Sequence, residues 1–292
     1  MTQLAGTEDG IRYVEVAPGD GSSAATYLLV HGLGGSLEQW SIVMGPLGEK
    51  SRTIAIDIPG FGKSRTAHGG FDLETAVAQI LRFCKSRGVA ECIVVSHSVG
   101  NVVAARLATV EPSMFTRVIL VSGSLVRASE IAQHPSRALS NPRLGFFVAA
   151  MFLAGVLPVP RVVLRTIASS PLLKQVAFWP FAAHPAEIPA SRVVETLTGT
   201  GSPSVIRILF TAKSIDYSSI ISAVTQPVDL IWGSEDPLIA KEDLVRTRQM
   251  VKVVREHEIN RCGHWPWLEN PAELISFLTS WGIDDKSATR GS

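Results

Sequence analysis

The chain has 292 residues, which is enough for one large domain, or one domain with an inserted subdomain, whose core needs no stabilising disulfide or metal. A formal net charge of +1 gives no electrostatic reason to expect nucleic acid, an anionic membrane or a highly charged substrate as a partner. Hydrophobic residues make up 46% of the chain and charged residues 18%, a balance that favours an apolar small-molecule substrate.

The three cysteines, Cys84, Cys92 and Cys262, contain no C-x-x-C pair and have no metal-ligand spacing. Such a sparse, odd set is typical of reduced thiols in a cytoplasm. Residues 1–10 are polar and acidic, without the basic start and apolar core of a signal peptide. We therefore predict a cytoplasmic protein that uses no metal and no cofactor.

The first 123 residues alternate predicted strands with predicted helices, as expected for the first part of an α/β core. Apolar or alternating stretches predict strands, the first of them an edge strand, at residues 11–17, 26–30, 53–58, 92–95 and 118–122. Asp72 is a predicted N-cap, with Glu74 in the first turn of a helix that continues to Gly88. Repeated alternation of this kind predicts a mostly parallel sheet with helices on both sides.

Between residues 124 and 223 the strand rhythm stops, prolines accumulate and apolar residues cluster in helical lengths. This change predicts an inserted helical cap, because the sheet pattern resumes after it. Leu144 to Pro160 carries no charge, but the run is short for a membrane span and closes with two prolines. We expect a cap helix that lies with its apolar side over a pocket, and no membrane span.

Strand patterns return in residues 224–283, the predicted second part of the core. They lie at 228–232 and 252–259, with a helix predicted at 238–250 between them. Asn270-Pro271-Ala272-Glu273 combines a capping side chain, proline at the first helical position and an acid three residues after the cap, which predicts a helix start. We expect that helix to end at Gly282 and residues 284–292 to form a flexible tail.

The apolar run that ends at Val95 leads directly into Ser96-His97-Ser98-Val99-Gly100, and a helical pattern follows. A strand that enters a helix through so short a turn leaves the corner side chain, here Ser98, exposed for reaction. This arrangement is the nucleophile elbow, usually written G-x-S-x-G. Ser96 replaces the first glycine, and it satisfies the need for a small residue at that position.

A serine nucleophile needs a base and an acid that orients the base. Asp236 and His264 each follow a later predicted strand, at the carboxyl end where an open parallel sheet places its site. Glu235 is the local alternative to Asp236, which we prefer because it lies three residues after the strand-end glycine. The candidate catalytic residues are therefore Ser98, Asp236 and His264, in the chain order of α/β-hydrolases.

An oxyanion hole is also required, since a tetrahedral intermediate carries negative charge on the former carbonyl oxygen. The candidates are the backbone amides of Val99, at the helix start, and Leu33, in the loop after the second predicted strand. Glycines in that loop allow close approach to the elbow, at positions 32, 34 and 35.

Together these motifs resemble the α/β-hydrolase superfamily over nearly the whole chain apart from the cap and the tail. They are the His31-Gly32 loop with Trp40, the segment 57–64, the elbow, Trp232-Gly233 with Asp236, and Gly263-His264 through Glu269 to Pro271. The resemblance implies an α/β-hydrolase fold with an inserted helical cap. We expect His31 to brace the oxyanion loop, Asp57 and Ser64 to fix their turn, and His97, Trp40 and Trp265 to be tentative pocket residues.

Residues 261–265 look like the corresponding stretch of the meta-cleavage product hydrolases, which cut a carbon-carbon bond, and also resemble esterases and lactonases. The elbow lacks the Gly-Asn-Ser start usual in the former, and no motif locates charged cap residues for an acidic substrate. We predict hydrolysis of a small apolar ester, thioester or lactone. The alternatives are carbon-carbon hydrolysis of a vinylogous diketone and, in another class, a non-catalytic receptor or a cofactor-free oxygenase or perhydrolase. The oligomeric state is not predicted.

Overall fold

The computed structural model describes residues 1–64, 70–123, 126–140, 142–211 and 214–288. The strands of these ranges form one sheet in the order β1-β2-β4-β3-β5-β6-β7-β8. In this order, the pairs β1–β2 and β2–β4 are antiparallel and every later pair is parallel, which confirms the predicted mostly parallel sheet. The strands are β1 (Thr2–Glu8), β2 (Ile11–Ala17), β3 (Thr26–Val30), β4 (Arg52–Ile56), β5 (Cys92–His97), β6 (Phe115–Val121), β7 (Val228–Gly233) and β8 (Val253–Ile259).

Helices cover both faces of the sheet and form the segment between β6 and β7. They are α1 (Ser41–Gly48), α2 (Leu73–Ser86), α3 (Gly100–Val110), α4 (Val126–Gln133), α5 (Pro142–Val156), α6 (Arg161–Ala168), α7 (Pro171–Phe178), α8 (Ala190–Leu197), α9 (Ser204–Thr211), α10 (Tyr217–Ser222), α11 (Lys241–Met250), α12 (Pro266–Glu269) and α13 (Pro271–Ala288). Short 3-10 helices lie at Leu37–Trp40, Pro135–Leu139 and Pro185–Glu187.

The core is divided by the sheet into two apolar layers. Side chains of α2 and α3 pack on one face, and those of α1 and α13 pack on the other. The N-cap predicted for α2 is present, since the Asp72 side chain accepts a hydrogen bond from the Thr75 N–H at 2.9 Å. Cys84, Cys92 and Cys262 are all buried free thiols.

The strand order reverses at β3, which has β4 on one side and β5 on the other. Such a reversal opens a crevice at the carboxyl ends of the two central strands, where open α/β sheets bind their ligands. Val30 pairs with Ser96 in the register of β3 and β5. The loop after β3 and the turn after β5 therefore begin side by side.

The predictions for three elements are wrong in position or length. Residues 11–17 do not form an edge strand, because Thr2–Glu8 adds a further antiparallel strand, β1, outside them. The strand predicted at 53–58 ends at Ile56, and the last helix continues past Gly282 to Ala288, so that residues 284–288 are helical. The rest of the predicted tail, 289–292, lies outside the described residues.

The described part of the segment between β6 and β7 consists of helices, from α4 to α10, and the turns and loops that connect them. Helix α5 differs from the prediction, because it is apolar on all sides instead of on one: Phe147 and Phe152 are buried, whereas Phe146 and Leu153 are exposed. Across the described residues, no helix combines the length and the apolar character that crossing a membrane would require.

Candidate active site

Ser98 sits at the sharp turn between β5 and α3 with a φ of +52°, a strained backbone conformation for a residue other than glycine. Gly100 allows this turn, since a Cβ there would lie 2.3 Å from the His31 carbonyl oxygen. At the other end of the motif, the buried Ser96 Oγ donates to Asn101 Oδ1 at 2.6 Å. A serine is accommodated in place of the usual glycine because its hydroxyl has a partner within the elbow.

The structure brings the three predicted side chains into one hydrogen-bonded chain. His264 Nε2 lies 2.8 Å from Ser98 Oγ, and His264 Nδ1 lies 2.7 Å from Asp236 Oδ2. All three residues are buried. With a proton on Nδ1 donated to the carboxylate, Nε2 is free to accept the serine proton, which is the arrangement that nucleophilic catalysis needs.

Three contacts to the main chain of His264 fix its position. Its N–H donates to the Phe181 carbonyl at 2.6 Å, and its own carbonyl accepts hydrogen bonds from Ser122 Oγ at 3.1 Å and His97 Nε2 at 2.9 Å. Phe181 belongs to the helical segment between β6 and β7, so that segment helps to hold the base in place. Sequence patterns had no signal for Phe181, and Ser122 entered the sequence analysis only as the end of a predicted strand.

The two neighbouring acids differ in burial and in their hydrogen-bond partners. Asp236 is buried, and its second oxygen, Oδ1, accepts the Leu238 N–H at 2.9 Å. Glu235 is largely exposed, and its carboxylate lies 3.4 Å from His184 Nε2. Gly233 lets the loop that carries Asp236 approach the loop that carries His264, because a Cβ at position 233 would lie 2.1 Å from the Cys262 carbonyl oxygen.

The loop after β3 is held by the buried His31. Its Nε2 accepts the Ile58 N–H at 3.0 Å, and its Nδ1 donates to the Gly32 carbonyl at 2.7 Å. Both ring nitrogens are thus used by a neutral imidazole, and burial lowers the pKa of His31 accordingly. These contacts match the bracing role expected for His31.

The predicted oxyanion-hole amides belong to residues near Ser98. Leu33 lines the cavity above Ser98, and Val99 directly follows Ser98 but is not among the lining residues. Over the described residues, neither amide donates to another backbone carbonyl. Both N–H groups are therefore available to a ligand oxygen.

Asp57 anchors the start of the Leu37–Trp40 helix. Its carboxylate accepts the Leu37 N–H at 2.7 Å and the Lys63 N–H at 2.8 Å. Ser64 Oγ donates to the Asp57 carbonyl at 2.7 Å. The two residues fix their turn by hydrogen bonds, as expected from the sequence.

A cavity of about 330 Å³ opens above Ser98 and His264. Among the described residues, no aspartate, glutamate, lysine or arginine lines it. The loops of the sheet form its floor, with Gly32, Leu33, Gly34, Gly35, Gln39, His97, Ser98, His264, Trp265 and Trp267. The helical segment forms its upper wall, with Met151, Leu153, Ala154, Gly155, Leu157, Val159, Leu164, Ile167, Ala177, Phe178, Phe181, Thr196, Leu197 and Thr200. An apolar, uncharged cavity favours an apolar ligand.

Two of the three tentative pocket residues, His97 and Trp265, line this cavity. The third, Trp40, does not: its side chain is fully buried in the core, with its ring centroid 6.2 Å from that of Trp267. The Leu37–Trp40 helix carries the indole into the apolar layer beneath the site, so the prediction for Trp40 is corrected to core packing.

His97 supports the base from below. Its ring lies edge-on to Trp267, with 4.3 Å between ring centroids. Burial lowers the pKa of His97 well below the usual value, and its Nε2 is engaged by the His264 carbonyl. A neutral, hydrogen-bonded ring in this position holds the His264 backbone and is not placed to take the Ser98 proton.

Glu269 joins the His264 loop to the helical segment. Its carboxylate accepts the Gly263 N–H at 3.0 Å and, through the other oxygen, the Ala183 N–H at 2.7 Å. Burial raises the pKa of Glu269 to about 6, against the opposing effect of these N–H donors.

An open sheet with serine, aspartate and histidine at the carboxyl ends of its parallel strands defines the α/β-hydrolase fold. A model of the alpha/beta hydrolase family matches residues 27–277, and the chain belongs to that family.

Similar proteins differ in their activities. Epoxide hydrolase 3 of Xenopus tropicalis is 24% identical over 95% of this chain and 76% of its own length. The dihydrolipoyllysine-residue acetyltransferase component of an acetoin cleaving system from Cupriavidus necator is 38% identical, over 39% of this chain and only 30% of that protein. Among solved structures, an N-acyl homoserine lactonase aligns with a TM-score of 0.67 and 20% identity, covering 96% of this chain and 95% of that chain.

Proposed function

We propose that the protein is a serine hydrolase that cleaves a small apolar ester, thioester or lactone through an acyl-enzyme. The observation that carries this proposal is the hydrogen-bonded chain from Ser98 through His264 to Asp236, at 2.8 and 2.7 Å, on the floor of an uncharged cavity. A hydroxyl paired with a base in this way is suited to attack on a carbonyl carbon.

In the proposed mechanism, His264 Nε2 takes the proton of Ser98 Oγ as the oxygen attacks the carbonyl. The amides of Leu33 and Val99 donate hydrogen bonds to the resulting oxyanion. When the intermediate collapses, His264 returns the proton to the leaving alcohol or thiol and Ser98 stays acylated. A water molecule, deprotonated by His264, then attacks the acyl group and releases the acid. Asp236 keeps the Nδ1 proton in place and stabilises the imidazolium of each step.

The cavity lining supports a neutral substrate. A carbon-carbon hydrolase acting on an acidic vinylogous diketone needs a cation to pair with the substrate carboxylate, because an unpaired buried charge is costly. The described lining residues offer no lysine or arginine for this purpose. Ester, thioester or lactone cleavage is therefore the better proposal, and we place the acyl chain against α5, α6 and α7. In this proposal, the described part of residues 124–223 acts as a cap over the site.

The chemistry of serine argues against epoxide opening. A serine alkoxide that opened an epoxide would form an ether, which has no carbonyl for a water molecule to attack. The protein would then be trapped after one turnover. The activity named for the Xenopus relative is accordingly not carried over to this chain.

Hydrolysis of p-nitrophenyl butyrate by the wild type and by Ser98→Ala tests the proposal. We expect the variant to lose several orders of magnitude in kcat with an unchanged circular dichroism spectrum. A variant that keeps its activity would overturn the assignment of Ser98. A wild type that binds esters without turnover would favour the receptor alternative.

A further inference from the structure

Helix α7 buries its charged residue and exposes apolar residues, which is the reverse of an ordinary surface helix. Its one charged residue, Lys174, is buried, and Lys174 Nζ donates hydrogen bonds to the carbonyls of Ala186, at 2.8 Å, and Ile188. The outward positions are apolar and follow the helical period: Leu172 is 71% exposed, Val176 70% and Trp179, directly after the helix, 53%. A stripe of this size facing water is unusual and marks an interaction surface.

Helix α5 carries a second exposed apolar stripe. Phe146 and Leu153 lie two turns apart, Leu157 directly follows the helix, and Leu153 and Leu157 are 71% and 64% exposed. The rings of Phe146 and Trp179 meet at 5.8 Å between centroids, so the two stripes are continuous. We define the outer apolar face as Phe146, Leu153, Leu157, Leu172, Val176 and Trp179.

This face borders the cavity above Ser98. Leu153 and Leu157 line the cavity and are exposed at the same time, and Ala177, next to Val176 on α7, lines it too. The outer apolar face is thus shared with the cavity wall at Leu153 and Leu157, and on α7 it lies next to the wall residue Ala177.

The sequence that carries the face is rich in arginine. From Ile131 to Ala186 it contains no aspartate and no glutamate, although it contains four arginines and one lysine. Arg161 and Arg165 are exposed one turn apart on α6, which follows Leu157 in the chain and packs against α7, and no ion pair is found for either of them within the described residues. The chain's net charge of +1 conceals this local asymmetry.

We propose that the outer apolar face docks on an anionic lipid surface, with Arg161 and Arg165 at the phosphate level and the apolar stripes in the acyl boundary. Apolar side chains flanked by arginines are the signature of interfacial binding. A second copy of the chain is a poorer partner, because a two-fold contact would bring the arginines of both copies together and like charges repel each other.

Sedimentation with vesicles of equal parts phosphatidylglycerol and phosphatidylcholine tests the proposal, using the full chain. We expect binding to these vesicles, and at least about tenfold weaker binding for the triple variant Leu172→Gln, Val176→Gln, Trp179→Gln. The matched control replaces exposed apolar residues elsewhere and should bind like the wild type: Leu4→Gln, Val110→Gln, Val245→Gln. The double variant Arg161→Ala, Arg165→Ala should bind about 30-fold more weakly, at about one kcal/mol for each arginine, whereas Lys50→Ala, Arg82→Ala should not.

Two results would overturn the proposal. One is vesicle binding that is absent, or equal for the wild type and the triple variant. The other is a wild type that sediments alone as a dimer and becomes monomeric in the triple variant, which would assign the face to a second copy. Ser98→Ala protein should bind vesicles like the wild type, so the docking surface stands or falls separately from the proposed hydrolysis.

Discussion

The sheet edge and the helical segment above it are built on opposite plans. At the sheet edge, buried polar groups such as His31, Asp57 and Asp236 each have specific hydrogen-bond partners at fixed distances. In the helical segment, apolar side chains point inward to the cavity and outward to solvent, as on α5. From this difference we infer that the sheet edge determines the chemistry and that the helical segment selects which ligands reach it.

Several contacts join the two regions, and two of them hold the loop that carries His264. The Phe181 carbonyl holds the backbone N–H of His264, and Glu269 ties Gly263 to Ala183. We therefore expect substitutions at the sheet edge to act on kcat and those in the cavity wall to act on KM. Substitutions at the contacts between the two regions should act on the free energy of unfolding.

The largest effect is expected for Asp236→Asn. An asparagine amide would donate to His264 Nδ1 and leave the ring proton on Nε2, where it blocks acceptance of the Ser98 proton. We expect kcat on p-nitrophenyl butyrate to fall about 10,000-fold with little change in KM. Glu235→Gln, at the exposed neighbouring carboxylate, is the matched control and should keep full activity. Equal losses in both variants would contradict the assignment of Asp236.

Gly32→Ala should reduce kcat by about 100-fold or more. A Cβ at this position would lie 2.6 Å from His97 Nδ1, and the His97 ring is fixed by Trp267 and the His264 carbonyl. The Leu33 amide would then move away from the oxyanion. Gly45→Ala, where a Cβ meets nothing within 4 Å, is the control for glycine replacement and should be active. Normal kinetics for Gly32→Ala would remove Leu33 from the oxyanion hole.

The pH dependence of stability should report Glu269. Its folded-state pKa of about 6 lies above its ordinary value of 4.5, so the folded protein holds this proton more tightly. The resulting stabilisation is complete below about pH 4.5 and is lost as the pH rises through 6, by about 2 kcal/mol at most. Urea unfolding should show the gap in unfolding free energy between wild type and Glu269→Ala narrowing over this range. A gap that widens with pH would mean that the N–H donors lower the pKa of Glu269 by more than burial raises it.

The smallest effect is expected in the cavity wall. Ala177→Trp places an indole in the cavity, and KM for p-nitrophenyl decanoate should rise about tenfold while the acetate ester is unaffected. Ala149→Trp, on an exposed part of α5 that does not line the cavity, is the control. An equal effect of Ala177→Trp on both esters would show that the helical segment does not select for chain length.

The sheet edge was largely predictable from the sequence because its geometry depends on local turn chemistry. Ser98, Asp236 and His264 each follow a recognisable strand, and the glycines at 100 and 233 mark the close approaches. The β1 strand was missed because Thr2–Glu8 is mostly exposed and lacks apolar alternation.

The contacts between the regions were not predictable. Phe181 acts through its carbonyl, which every residue has, so no side-chain pattern signals it. Trp40 was placed in the pocket because its motif lies beside the oxyanion loop, but the motif does not determine which way the indole points. The exposed apolar residues of α7 have the same helical spacing as core residues, and only the folded structure shows which face of the helix is buried.

Labelling with a fluorophosphonate probe, followed by peptide mass spectrometry, tests the central claim most directly. We predict rapid phosphonylation of Ser98 in the wild type and greatly slowed labelling in His264→Ala, because the reaction needs the imidazole at 2.8 Å to take the hydroxyl proton. An unlabelled Ser98, or labelling that proceeds at the same rate without His264, would contradict it.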